Sequence, residues 1–86
     1  MNVTDLVFTK ADRAHRETGL LGWIQVTLAG AVVIDGIALR RTLHGDLVLS
    51  WPRKPNGKPV ATPANASARR RIENAIIDAL VEEIGA

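Results

Sequence analysis

Arg69, Arg70 and Arg71 stand in a row directly after Pro63-Ala64-Asn65-Ala66-Ser67-Ala68. Pro63 positions the start of a helix, and either Asn65 or Ser67 can accept from the orphan amides of its first turn. Guanidinium groups beside free amides form a site for an anion, and phosphate is the common case. The arrangement works against the helix itself. Cations at the positive end of a helix dipole forgo the stabilisation of up to about 1 kcal/mol that acids would supply there. Glu82 and Glu83 repeat the mismatch at the far end. A helix charged against its dipole at both ends reads as selected for something other than its own stability. Consecutive helical residues lie about 100° apart, so the three arginines fan out. Arg70 and Arg71 are expected to be exposed, whereas Arg69 falls toward the apolar side and can pack or reach across a dimer.

The loop Arg53-Lys54-Pro55-Asn56-Gly57-Lys58-Pro59 lies just upstream, and Arg40-Arg41 lies before it. From Arg40 to Arg71 there are eight basic residues and one acid, Asp46, so this segment carries +7 and the remainder −5 of a net +2. Such segregation points to a polyanionic partner. Phosphate-directed affinity needs several Lys and Arg on one surface. The expected contacts are Arg69, Arg70, Arg71, Arg53, Lys54 and Lys58, with Arg40 and Arg41 extending the patch from a neighbouring strand. Only Phe8, Trp23 and Trp51 are aromatic. Trp51 adjoins Pro52-Arg53-Lys54 and is the candidate for stacking on a base, although a Trp ending an apolar strand more commonly packs into a core.

Other chemistry has no footing in the sequence. Without cysteine there is neither a disulfide nor a thiolate metal site. His15 and His44 fall in separate turns with no ligand-spaced neighbours. Ser50 and Ser67 lack a nucleophile-elbow context, and no phosphate-loop or dinucleotide motif occurs. No enzymatic activity, cofactor, metal or small-molecule substrate is expected. The N-terminus lacks a basic-then-apolar signal pattern, and no apolar run approaches the roughly 20 residues that span a bilayer. A soluble, cytoplasmic protein is the expectation.

The elements that would position these groups form one domain of 86 residues. Strands are expected at about 2–10, 20–28, 31–41, 47–51 and, as a short edge, 60–62. Residues 11–18 read as a loop or hairpin tip. In the second strand Ile24, Val26 and Leu28 share one face, opposite Trp23, Gln25 and Thr27. Ala29-Gly30 and His44-Gly45-Asp46 are turns, and Asp35-Gly36 marks a bulge or bend. A helix over about 66–84 carries an apolar stripe of Ile72, Ala75, Ile76, Ala79 and Leu80, widened by Ile77, Val81 and Ile84. That arc exceeds what one sheet face needs, so the helix is expected to meet both its own sheet and a partner chain. The fold class is α+β: an antiparallel meander of four to five strands with one C-terminal helix packed on it, as a dimer.

Taken together these stretches resemble the SpoVG family, the stage V sporulation protein G septation regulators. Val3-Thr4-Asp5-Leu6 is similar to the family's opening Val-Thr-Asp-Val, and residues 24–28 to its "SITL" strand. Residues 31–39 fall on "FVVHDIRV", and "LVLSWPRK" at 47–54 looks like "LFVAMPSK". "PANASARRRI" at 63–72 resembles "PINSSTRGKI", with Pro63, Asn65, Ser67, Arg69 and Ile72 matching. The resemblance covers nearly the whole chain and implies a small dimeric α+β protein. It also implies DNA and RNA binding through the basic helix start, and roles in septation and, in spore formers, sporulation. Ala68 in place of Thr removes a hydroxyl, Arg70 in place of Gly adds charge, and the loop between Lys54 and Pro63 is shorter.

The leading expectation is therefore a homodimeric, non-enzymatic regulator that binds DNA or RNA. Its rival is an adaptor of the cell-division machinery whose basic segment docks an acidic protein.

Overall fold

A computed structural model describes residues 2–83. Four strands run as an antiparallel meander in the order β1-β2-β3-β4: β1 Val3–Lys10, β2 Leu20–Leu28, β3 Val32–Arg41 and β4 Leu47–Ser50. A short helix, α1 (Arg13–Glu17), lies between β1 and β2, and a long one, α2 (Ala66–Glu83), follows the sheet. This is the expected α+β architecture. Ile84, placed in the sequence-read helix and its apolar arc, lies outside the described residues. No helix of the described residues is long and apolar enough to cross a membrane.

Two local expectations are corrected. Residues 13–17 are helical because Asp12 caps them: its carboxylate accepts from the His15 amide at 2.9 Å and contacts His15 Nδ1 at 2.7 Å. The second concerns 60–62, which is not a strand. The chain there has already used its pairing capacity in a miniature hairpin, where the Val60 amide donates to the Pro52 carbonyl at 2.9 Å and Arg53 bridges Pro59.

Period-two alternation decides which face of the sheet is inside. Ile24 and Val26 of β2, Ile37 and Leu39 of β3 and Leu49 of β4 are buried together with Ile76 and Leu80 of α2. Ile76 and Leu80 are one helical turn apart, so they enter the same strip of sheet. Each such side chain contributes about 1.5–3 kcal/mol on burial. On α2 the polar stripe of Arg71, Asn74, Asp78 and Glu82 is exposed, Ile77 is half-buried and Val81 is exposed.

Register departs from a plain ladder where the backbone demands it. Asp35 and Gly36 together oppose Gln25, and Gly36 sits at φ 79°, a bulge of the kind its sequence announces. A second bulge sets Asp5 and Leu6 against Val26, with Asp5 at φ 52°. The β2–β3 turn uses Ala29 and Gly30 at φ 53° and 64°, and the Ala31 amide donates to the Leu28 carbonyl at 3.0 Å. The two central residues of this turn both take positive φ, and the three-residue loop, Ala29 to Ala31, closes the register at Leu28 and Val32. Gly22 answers a different need: a Cβ there would collide with the Thr9 carbonyl and the Phe8 ring.

α2 leaves the opposite sheet face uncovered; of the described elements only α1 reaches it, its His15 ring standing edge-on to Trp23 with centroids 6.3 Å apart. Val7, Trp23, Val33 and Val48 are exposed there, as the alternation places them. Antiparallel sheets tolerate one solvated face, but such a face is ordinarily polar.

Candidate nucleic-acid interface

The helix start is built from Asn65. Its Oδ1 accepts from the Ala68 amide at 2.8 Å, and its carbonyl accepts from the Arg69 amide at 2.9 Å. Of the two residues able to cap, Asn65 does so, and Ser67 lies within the first turn. No acidic residue occupies that turn. Arg70 and Arg71 are exposed, as their fanned positions require.

Arg69 is tied down instead. Its Nη1 donates to Glu73 Oε2 at 3.1 Å, four residues along the helix, and its Nη2 reaches Thr62 Oγ1 at 3.4 Å. The Arg69 side chain is still 47% exposed, whereas that of Glu73 is only 20% exposed. The same carboxylate oxygen accepts from Trp51 Nε1 at 2.6 Å. Glu73 thus joins the end of β4, the segment before α2 and the helix itself. Reading the sequence for basic residues passes over it. The available signal is its i,i+4 spacing from Arg69.

Trp51 is half-buried and packs against the hydrophobic core. With its indole N–H bound to Glu73, it braces the helix start rather than presenting an open stacking platform.

The basic loop is an ordered hairpin. The Lys54 amide donates to the Lys58 carbonyl and the Gly57 amide to the Lys54 carbonyl, each at 2.8 Å. Asn56 Oδ1 accepts from the Lys58 amide at 3.0 Å, closing the tip around Asn56-Gly57. Arg53 Nη1 folds back onto the Gly57 carbonyl at 2.9 Å. Arg53 and Arg69 both line a cleft of about 160 Å³, with Ser50, Trp51, Thr62 and Leu49 completing its walls. Lys54 and Lys58 are exposed outside that cleft, as alternation along the hairpin requires.

Arg40 and Arg41 do not join this surface. Arg41 pairs with Leu47, at the far end of β4, six residues from Arg53. At about 3.3 Å per extended residue that separation is about 20 Å. Arg40, paired with Val48, projects on the sheet face away from α2. The expected single patch divides into two.

Among the described residues, no group of three or more His, Cys, Asp or Glu is placed to hold a metal ion. What the fold and this surface define is a small α+β domain whose basic hairpin and basic helix start share one cleft. Neither a family model nor a solved structure matches the chain. Over 83 residues it is 36% identical to a protein of Desulforudis audaxviator that carries the name septation protein SpoVG, a match spanning 92% of this chain and 90% of the relative. With that identity over nearly the full length of both, the chain belongs to the SpoVG family.

Proposed function

We propose that this protein is a cytoplasmic, homodimeric, non-enzymatic regulator that binds DNA or RNA phosphates and acts in septation. One observation carries the reading: Arg53 from the hairpin and Arg69 from the helix start line the same cleft, with Arg70 and Arg71 exposed beside it. Arg70 and Arg71 take phosphate directly, Lys54 and Lys58 follow the adjacent backbone, and Arg69 holds the shape of the site through Glu73 and Thr62. The contacts are to phosphate rather than to bases, because the nearest aromatic, Trp51, is packed away. The dimer forms through the sheet face away from α2, where Trp23 and three valines are exposed, and it doubles the basic surface.

The test is the slope of log affinity against log salt for a generic duplex and a generic single strand. Each duplex phosphate contact contributes about 0.9 to that slope. Replacing Arg70 and Arg71 together with Ala should therefore flatten it by about 1.8 for each protomer that engages the nucleic acid. An unchanged slope sinks the assignment. For the dimer, light scattering at micromolar concentration should give twice the chain mass, and Trp23→Ser should lower it toward one chain.

A further inference from the structure

The far end of the sheet holds a groove of different character. Phe8, Leu21, Leu39, Leu47 and Leu80 form its floor in a cavity of about 230 Å³. Lys10, Arg16 and Arg41 stand at its rim. A second hollow of about 570 Å³ adjoins it, sharing Arg16, Leu21 and Arg41, with Glu17 also on its wall, and reaching Leu43 in the β3–β4 turn. Leu43 is fully exposed. Among the described residues, none of the three rim cations makes a salt bridge; Glu17, the acid on the wall of the second hollow, is paired with Arg13 at 3.5 Å and leaves the rim cations in excess. The walls are fixed relative to each other. The Arg41 amide donates to the Gly19 carbonyl at 2.8 Å, and the Ala11 amide donates to the Leu21 carbonyl at 3.0 Å.

We propose that this groove docks an acidic peptide segment of a partner protein, carrying at least one large apolar anchor. Charge complementarity selects the occupant. Three unpaired cations around an apolar floor call for carboxylates flanking a Leu- or Phe-like side chain, and a floor of about 230 Å³ accommodates about one such side chain. The adjoining hollow extends the groove as far as Leu43, which lengthens the contact beyond one small molecule and gives the exposed leucine a partner. A nucleic acid fits poorly, since its phosphates would lie over leucines, whereas protein–DNA interfaces are polar. A second copy of the chain fits poorly too, because two-fold pairing through this face would bring six cations together. The rim cation Arg41 pairs with Leu47, which lies six residues, about 20 Å, along the chain from Arg53 of the helix-start cleft. The proposal does not depend on nucleic-acid binding.

The experiment is fluorescence anisotropy of the full chain with a labelled ten-residue peptide of alternating Asp or Glu and Leu, with one Phe. A control peptide replaces every Leu and Phe with Ser. The acidic-apolar peptide should bind, and the control should bind at least roughly tenfold more weakly. Arg41→Glu and Lys10→Glu should each lower affinity by roughly tenfold or more through like-charge repulsion. Leu43→Ser should lower it by about threefold. Melting temperatures of the three surface variants verify folding. In the same variants the salt slope for duplex DNA should stay as in the parent chain. The proposal is overturned if the acidic-apolar peptide fails to bind or if the control binds equally well. It also fails if folded Arg41→Glu binds the peptide normally, or if these substitutions flatten the DNA slope or dissociate a dimer instead.

Discussion

Arginine stands at both ends of the sheet, in unlike company. At the helix-start end Arg53 donates to a backbone carbonyl and Arg69 to a carboxylate, while Ser50 and Thr62 line the cleft between them. Around the far groove Arg16 and Arg41 rim a floor of leucines and one phenylalanine, and among the described residues no acid forms an ion pair with either. The first surface is anchored, polar and continuous with a helix N-terminus, which suits repeated phosphates. The second joins charge to apolar area, which suits a peptide. The same residue type thus serves two chemistries according to what the tertiary structure sets beneath it.

That contrast can be broken by substitutions that touch one end only. The largest effect is expected from Leu80→Ala. Leu80 is 2% exposed and belongs to both the core and the groove floor, so its truncation should cost about 2–5 kcal/mol in chemical denaturation. Under conditions where the variant remains folded, it should bind the acidic-apolar peptide more weakly and duplex DNA with an unaltered salt slope. A change at the DNA end would mean that the two surfaces are coupled through α2.

Glu73→Ala comes next. It leaves the half-buried Trp51 indole N–H without its acceptor and frees Arg69, at an expected cost of about 1–3 kcal/mol. Glu73→Gln keeps one oxygen as acceptor and should recover part of that loss. The double-mutant cycle with Trp51→Phe separates the indole bond from the Arg69 pair. If Glu73→Ala leaves stability unchanged, Glu73 is not the brace that distinguishes this end.

Asn65→Ala removes the cap of α2 and should destabilise by about 1 kcal/mol, with a smaller loss for Asn65→Gly. It disorders the turn that presents Arg70 and Arg71, so DNA affinity should fall while peptide affinity holds.

The smallest effect belongs to α1, beside the far groove. Hydrogen bonds from the His15 amide and then the His15 side chain hold the Asp12 carboxyl below the ordinary Asp range. A depressed folded-state pKa contributes stability above the unfolded value, about 3.9, and that stability is lost as pH falls through the folded value. Acid should therefore shift the His15 amide resonance as the cap opens, whereas in Asp12→Asn this acid-dependent shift should disappear. A resonance that is flat through the acid range in the parent chain would remove the cap from the account.

Much of the architecture was legible because its causes are local. Alternation at Ile24, Val26 and their neighbours set the inner face of β2, and Ala29-Gly30 and Asn56-Gly57 announced their turns by residue type. Asp35-Gly36 announced its bulge in the same way. The Asp5 bulge was not legible, because Asp carries no obligatory signal for positive φ. Helix α1 was hidden for a related reason: five charged and small residues lack an apolar period, and only the Asp12 cap marks them. At the candidate site, the exposure of Arg70 and Arg71 followed from helical geometry. Glu73 was missed because its importance comes from Trp51, which is 22 residues away in the chain.

The sequence by itself determined a basic segment from Arg40 to Arg71, a meander and an amphipathic C-terminal helix, since composition, turn chemistry and side-chain period act over a few residues. Only the tertiary structure decided that this segment is not one surface. Pairing Arg41 with Leu47 places it at the opposite end of β4 from Arg53, beside Lys10 and Arg16 from a part of the chain whose net charge is negative. Strand register is a long-range choice governed by which side chains the core accepts, so charges adjacent along the chain can be divided in space and distant ones brought together.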